Sequence, residues 1–247
     1  MKPSNRLLLS LIGAVALAGC GGGGSGKQTG GLTLASPTTA TSAADPGRQA
    51  IDAFAAAARA GRADALWSML STPTRQRLGP LARFRTHAAV ELAEGVGGFG
   101  RFDVIVSERI TPEFGVVAID GSRIVEGRRE RSVFATALRL EGNVWKIELR
   151  GPVHVRPIGP DPGAHEDVVA QVAAAVSGQG GNGTAVVYVD GAAESPRVYG
   201  TATTSTVVVN FEPALDRGRH TVVVFGSVGR QAAATGWWFT VARTPKR

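Results

Sequence analysis

The 247-residue sequence predicts an α+β unit followed by an all-β unit, and three observations carry that reading. Residues 45–93 place apolar side chains at helical spacing, and residues 102–149 switch to two-residue alternation. Beyond Pro152, short alternating runs recur between Gly, Pro and Asp turns. Helices followed by hairpin-connected strands predict helices laid on one antiparallel sheet. Roughly seven strands in about 90 residues predict a β-sandwich. A 43% hydrophobic share excludes wholesale disorder, and the single cysteine excludes a disulfide framework and any cysteine-rich zinc or iron–sulfur centre.

The chain opens with Lys2 and Arg6 and then runs apolar from Leu7 to Ala18. A charged start followed by a short apolar run is the pattern of an export signal, and the run is too short for the roughly 20 residues of a membrane span. It ends in Leu17-Ala18-Gly19-Cys20, which resembles the lipobox of bacterial lipoproteins. The resemblance implies cleavage after residue 19 and a diacylglyceryl group on the Cys20 thiol, with fatty acids such as palmitate as the anchor. Two acyl chains matter, because one holds a protein on a membrane only marginally. Cleavage would remove Lys2 and Arg6 and no acid, taking the formal charge from +7 to +5. The expected location is extracytoplasmic, on the cell membrane, or on the outer membrane if the host is diderm.

Residues 20–44 read as a Gly/Ser/Thr-rich linker, too poor in apolar surface to offset the entropy of ordering. Gly21, Gly26 and Lys27 match the start of a phosphate-binding loop by chance. Gln28 stands where Ser or Thr is required, with no strand before it and no helix after.

The first unit spans residues 45–150. Asp45-Pro46 is an N-cap followed by a first-turn proline, Ile51, Phe54, Ala55 and Ala58 recur at helical spacing, and Gly61 ends the helix. Ala63 to Leu70 forms a second helix carrying Leu66, Trp67 and Leu70, and Leu81 to Ala93 a third. Four strands follow at Phe102–Arg109, Gly115–Asp120, Ser132–Leu140 and Asn143–Leu149, with Asp120-Gly121 and Glu141-Gly142-Asn143 as hairpin turns. This order, with Arg48–Phe54 at the opening and Gly142–Ile147 at the close, resembles the nuclear-transport-factor-2-like (SnoaL-like) cone, a family that implies a cone-shaped α+β domain.

The second unit spans residues 152–243, with strands expected at Val153–Pro157, Val168–Val176, Thr184–Asp190, Arg197–Tyr199, Thr204–Phe211, His220–Gly226 and Gly236–Ala242. The alanines of Ala164–Ser177 fit a helix equally well. The run Leu215-Asp216-Arg217-Gly218-Arg219-His220-Thr221-Val222, leading to Trp237-Trp238-Phe239-Thr240-Val241, resembles the end of bacterial immunoglobulin-like domains. That resemblance implies an immunoglobulin-like sandwich used for binding or spacing, and no catalysis.

Catalytic motifs fail one by one. No G-x-S-x-G, S-x-x-K or H-E-x-x-H is present, and Val169 stands where the second histidine after His165-Glu166 would have to be. His220 shares an inward strand face with Val222 and Val224 and reads as structural. His87 lies between Arg83-Phe84-Arg85 and Glu91, where a cavity-facing histidine of a cone enzyme would serve as acid-base with Asp103 or Asp120; strand parity turns Asp103 outward. Alternation sends Trp237 inward and Trp238 to the outer sheet face, where its ring would meet a glycan, a partner, the first unit or an arginine.

Arginines cluster at 75–85 and 123–131, but Glu126 and Glu130 interrupt the second cluster and no aromatics are interleaved, so nucleic acid is not expected, and the clusters read as solvated surface in preference to a site for wall polymers or anionic lipid. The expectation is a lipid-anchored, non-enzymatic envelope protein without cofactor or metal. It would bind or scaffold a small apolar ligand, an envelope polymer or a protein partner, with Trp238, His87 and Trp67 as candidate binding residues. The alternatives are a cone enzyme built on His87 and a carboxylate, and a pure spacer.

Overall fold

The computed structural model describes residues 32–34, 45–125, 127–149, 151–179, 183–201 and 203–242. The expected leader (1–19), Cys20 and most of the expected linker lie outside these residues. The chain is mixed helix and sheet.

Helix α1 runs Pro46–Arg59, and the Asp45 carboxylate caps it by accepting from the Gly47 and Arg48 amides at 3.0 and 3.2 Å. Helix α2 spans Ala63–Met69. Helix α3, Thr72–Leu78, was not expected, although its signal is present: Ser71 accepts from the Thr74 amide and a proline sits in the first turn. The expected third helix is two, α4 at Leu81–Thr86 and α5 at Ala88–Gly95, broken at His87 with φ −130° and ψ −77°. Thr86 Oγ1 donates back to the Arg83 carbonyl at 3.1 Å, a local bond that competes with helix continuation.

Strands β2 (Phe99–Arg109), β3 (Phe114–Val125), β4 (Arg128–Glu141) and β5 (Val144–Glu148) form one antiparallel sheet in that order. The turn at Gly142 stands as expected, with Glu141 paired to Val144. The turn expected at Asp120-Gly121 does not exist: β3 continues through it, and the chain reverses between the paired residues Val125 and Arg128. Gly121 serves close approach instead, since a Cβ there would stand 2.5 Å from the Arg101 carbonyl oxygen of β2.

The second unit contains β6 (His154–Gly159), β7 (His165–Glu166), β8 (Gln171–Ser177), β9 (Gly183–Val189), β10 (Ala192–Glu194), β11 (Arg197–Gly200), β12 (Thr204–Asn210), β13 (Gly218–Val228) and β14 (Gln231–Val241). The ambiguous alanine run resolves as strand β8, which buries Val172, Ala174 and Val176 and pairs with β12 and β6. Within the expected linker, β1 (Leu32–Leu34) pairs in parallel with Gly183–Ala185 of β9. Composition gave no warning of this pairing, because it depends on a strand edge far away in sequence. One sheet then reads β1-β9-β13-β14-β7, with β10 also on β9, and the other β11-β12-β8-β6. Thus β10 covers Val187–Val189 and β1 covers Gly183–Ala185, which leaves less of the β9 edge open.

Three apolar layers separate these elements. Ile51, Phe54, Leu66, Leu70 and Phe84 pack on Val117, Ile119, Leu138 and Ile147, between the helices and the first sheet. Val172, Ala174, Val176, Val207 and Val209 face Val187, Val222, Val224, Trp237 and Phe239, between the two sheets of the second unit. The third layer joins the units: Val106, Val116, Ala118, Val133 and Ala137 meet Val186, Tyr188, Val223, Phe225 and Ala232. The runs Val116–Ile119, Ala185–Val189 and Val222–Phe225 are therefore buried on both faces, which explains why they are continuously apolar. At this seam a Cβ on Gly236 would stand 2.5 Å from Val133 Cγ1 and 3.2 Å from Ala135 Cβ, so its missing side chain sets the spacing of the sheets.

Two outcomes follow. Gly236→Val should destabilise the protein by about 1–3 kcal/mol through overpacking, read as a lower urea midpoint; an unchanged midpoint would mean the sheets are not in contact there. Replacing Leu32-Thr33-Leu34 by Gly-Ser-Gly should speed hydrogen exchange at Gly183–Ala185 about tenfold or more while Val187–Val189, under β10, stay protected. Equal exchange in both proteins would remove β1 from the edge.

Candidate functional site

The most concentrated polar chemistry lies at one end of the seam. Alternation along β3 turns Val116, Ala118 and Asp120 toward the second unit, so the carboxylate of Asp120 enters an apolar layer at 6% exposure. A carboxylate there needs partners. Arg219 of β13 supplies a two-pronged grip, Nη1 to Oδ2 at 2.6 Å and Nη2 to Oδ1 at 2.7 Å, and Arg131 of β4 adds Nη2 to Oδ2 at 3.1 Å. Burial alone would raise the Asp120 carboxyl, but the hydrogen bonds and charges of Arg219 and Arg131 outweigh it and hold it below its ordinary value of 3.8. The Arg219 guanidinium also lies 5.3 Å from the Trp238 ring centre, and Trp238 Nε1 donates to the Arg131 carbonyl at 3.1 Å. An open cleft of about 540 Å³ borders this cluster, lined by Asp52, Arg101, Asp103 and Ser122 as well as by Asp120 and Arg131.

The other end of β4 carries a second shared carboxylate. Glu148 of β5, fully buried, accepts from Arg139 Nε at 2.9 Å and from Arg77 Nη2 at 2.8 Å. Arg139 reaches on to the Arg230 carbonyl at 2.6 Å and stacks 4.7 Å from the Phe114 ring centre. In the same cross-strand row as Glu148, on the opposite edge of the first sheet, Glu108 accepts from the Tyr188 hydroxyl across the seam at 3.0 Å. Burial raises the Glu108 carboxyl, partly offset by that bond, and burial together with the Glu108 charge raises the Tyr188 hydroxyl. The units are thus held by a central apolar layer with charged ties at both ends.

The structure scatters the residues singled out in the sequence. His87 is exposed, with Nδ1 2.7 Å from Thr86 Oγ1 and 3.3 Å from the Arg83 carbonyl, on the helical side of the first sheet. Asp120 lies on the opposite side, and so does Asp103, its cross-strand partner, so the sheet stands between the histidine and both carboxylates considered with it. Trp67 is half-buried against Phe84, ring centres 5.1 Å apart, and belongs to the helical core. Trp237 turns inward at 3% exposure and Trp238 outward, as alternation requires, but the outward ring meets Arg219 and the first unit, and among the described residues no aromatic ring pairs with it. His220 is buried between Asp190 Oδ2 at 2.7 Å and the Asp216 carbonyl at 2.8 Å, the structural role its strand face implied. Cys20 lies outside the described residues.

Among the described residues no group of three or more His, Cys, Asp or Glu side chains is placed to hold a metal, and no helix is long and apolar enough to cross a membrane. The sequence points to Asp120 as a turn residue and as a possible partner for His87, and not to its pairing with Arg219. One signal was available: an acid placed directly after Val116–Ile119, in phase with the outer face of a strand apolar on both faces, has to be paired.

No protein-family model matches the sequence, and no curated protein matches it. Among solved structures, a protein named Rd1NTF2_05, in a version with five substitutions, is 21% identical with a TM-score of 0.32, covering 42% of this chain and 92% of that one. The endo-beta-1,4-mannanase from Thermotoga petrophila is 14% identical with a TM-score of 0.29, covering 38% of this chain and 20% of the mannanase.

Asp120→Asn leaves Arg219 beside a neutral amide and should cost about 2–3 kcal/mol, less than a fully buried pair because both arginines are partly solvated. Because the folded carboxyl is held below 3.8, its stabilisation is complete above that pH and is lost as pH falls through the depressed value. Glu108 has the opposite sign, its contribution present below 4.5 and lost as pH rises above it. Urea midpoints of the two proteins should therefore differ at pH 7 and converge toward pH 2; a gap that persists in acid would show that the Asp120 charge is not what matters.

Proposed function

We propose that this chain is a lipid-anchored cell-envelope protein that binds or scaffolds an envelope component without catalysis. The observation that carries the address is Leu17-Ala18-Gly19-Cys20 after two positive charges and a short apolar run, with Cys20 the sole cysteine of the chain. A diacylated Cys20 would hold the protein on the membrane without a spanning helix. In this reading residues 45–150 are a nuclear-transport-factor-2-like cone and residues 152–243 an immunoglobulin-like sandwich. Helices on one face of a four-stranded antiparallel sheet support the first, and the inward set Trp237, Phe239 and Val241 between two sheets supports the second.

A non-catalytic role is supported by the separation of His87 from Asp103 and Asp120 by a sheet, and by how the buried acids are used. Asp120 and Glu148 are each saturated by two arginines that tie the fold together. A second reading, a spacer that displays a surface at a distance from the membrane, is favoured by the packed interior between the helices and the first sheet, where Phe54, Leu66 and Phe84 are fully buried.

Labelling cells with a palmitate analogue should mark the native protein, and Cys20→Ala should abolish the label. Retention of label by the Cys20→Ala protein would overturn the anchor.

A further inference from the structure

The β3–β4 hairpin concentrates positive charge where the fold makes little use of it. Strand β2 pairs with β3 only as far as Arg123, and β5 pairs with β4 only from Ala137, so the chain around Ile124 and Arg129 stands as a two-stranded ribbon. Register places Ile124, Arg129 and Arg131 on one face of the ribbon and half-buried Arg123, Arg128 and the exposed Glu130 on the other, so the cations outnumber the acid. Arg123, Arg128 and Arg129 have no acidic side chain within ion-pair distance among the described residues. Arg131 shares Asp120 with Arg219, which already grips both carboxylate oxygens, so its own charge is only partly spent. Ile124 is 57% exposed among these cations.

We propose that this hairpin binds a linear anionic polymer of the cell envelope, its arginines engaging successive acidic groups and Ile124 contacting the backbone between them. The proposal rests on the envelope-binding reading above and names the surface and the chemistry that reading left open. Guanidinium groups suit it, because each presents a planar fork of donors to a phosphate or carboxylate.

One feature favours a polymer over a bilayer. The ribbon exposes Arg129 and Arg131 on one face and Arg128 on the other, which a chain can wrap, whereas a flat membrane meets one face.

The test uses the mature lipidated protein in phosphatidylcholine vesicles, titrated with poly(glycerol phosphate) at several salt concentrations. Saturable binding is expected, weakening as salt rises. The triple variant Arg123→Ser/Arg128→Ser/Arg129→Ser should lose at least about tenfold in affinity and show a flatter salt dependence. Arg48→Ser/Arg62→Ser/Arg197→Ser removes the same charge from exposed positions elsewhere and should lose less than about twofold. Arg129→Ser alone, expected to lose about two- to fivefold with an unchanged thermal midpoint, serves if the triple variant folds poorly. Equal losses in the two triple variants, or no saturable binding, overturn the proposal. So does hairpin-dependent binding of the soluble Cys20→Ala protein to polymer-free phosphatidylglycerol vesicles with polymer binding unaffected, which would assign the hairpin to a lipid surface. Since that soluble protein is expected to bind the polymer as well as the anchored one, failure of the anchor and failure of the hairpin are read separately.

Discussion

Both faces of the first sheet are apolar, and this governs the rest of the molecule. A four-stranded sheet with Val117, Ile119 and Leu138 on one side and Val116, Ala118 and Val133 on the other is stable only if both sides are covered. Helices α1 to α5 cover one side. Sheet β1-β9-β13-β14-β7 covers the other and is itself apolar on both faces, so it needs the last sheet behind it. The two units are consequently successive layers of one packed body, and Gly236 lets the middle layers come close enough to exclude water.

A dry interface between sheets is weakly specified in its sliding direction, because apolar contact is non-directional. Directional contacts lie at both ends of it. Asp120 with Arg219 and Arg131 ties one end, and Glu148 with Arg139 and Arg77, continued to the Arg230 carbonyl, ties the other. Each carboxylate is shared by two guanidinium groups, so its burial is compensated and a spare positive charge is left at each end. Trp238, the aromatic that looked most available for a ligand, is used as the platform on which Arg219 stacks. Residues whose type suggests recognition are thus spent on holding the layers in register.

What this leaves for a partner is the rim, and above all the hairpin of β3 and β4 that extends beyond the covered part of its sheet. A packed body that carries unpaired arginines on an exposed ribbon has the layout of a display device. In that reading the packed helical core contributes stiffness and the exposed ribbon contributes chemistry.

The sequence by itself determined the periodicities and therefore most elements: α1 with its Asp45 cap, the four strands of the first sheet in order, and the seven main strands of the second unit. These are local properties, since capping, alternation and turn chemistry act within a few residues. It misread Asp120-Gly121 as a turn, because Asp-Gly is locally the strongest hairpin signal and only the approach of Arg101 and Phe102 shows why glycine is needed mid-strand. It merged α4 and α5, treated Leu32–Leu34 as linker, and grouped His87 with carboxylates that lie across a sheet from it. Apart from the α4–α5 break, where Thr86 bonds locally to the Arg83 carbonyl, tertiary structure decided those points. Which face of a strand meets which neighbour, and whether an edge far along the chain is open, are set by packing between segments remote in sequence, 99 residues apart for Asp120 and Arg219 and 151 for Leu32 and Gly183, and no local pattern encodes it.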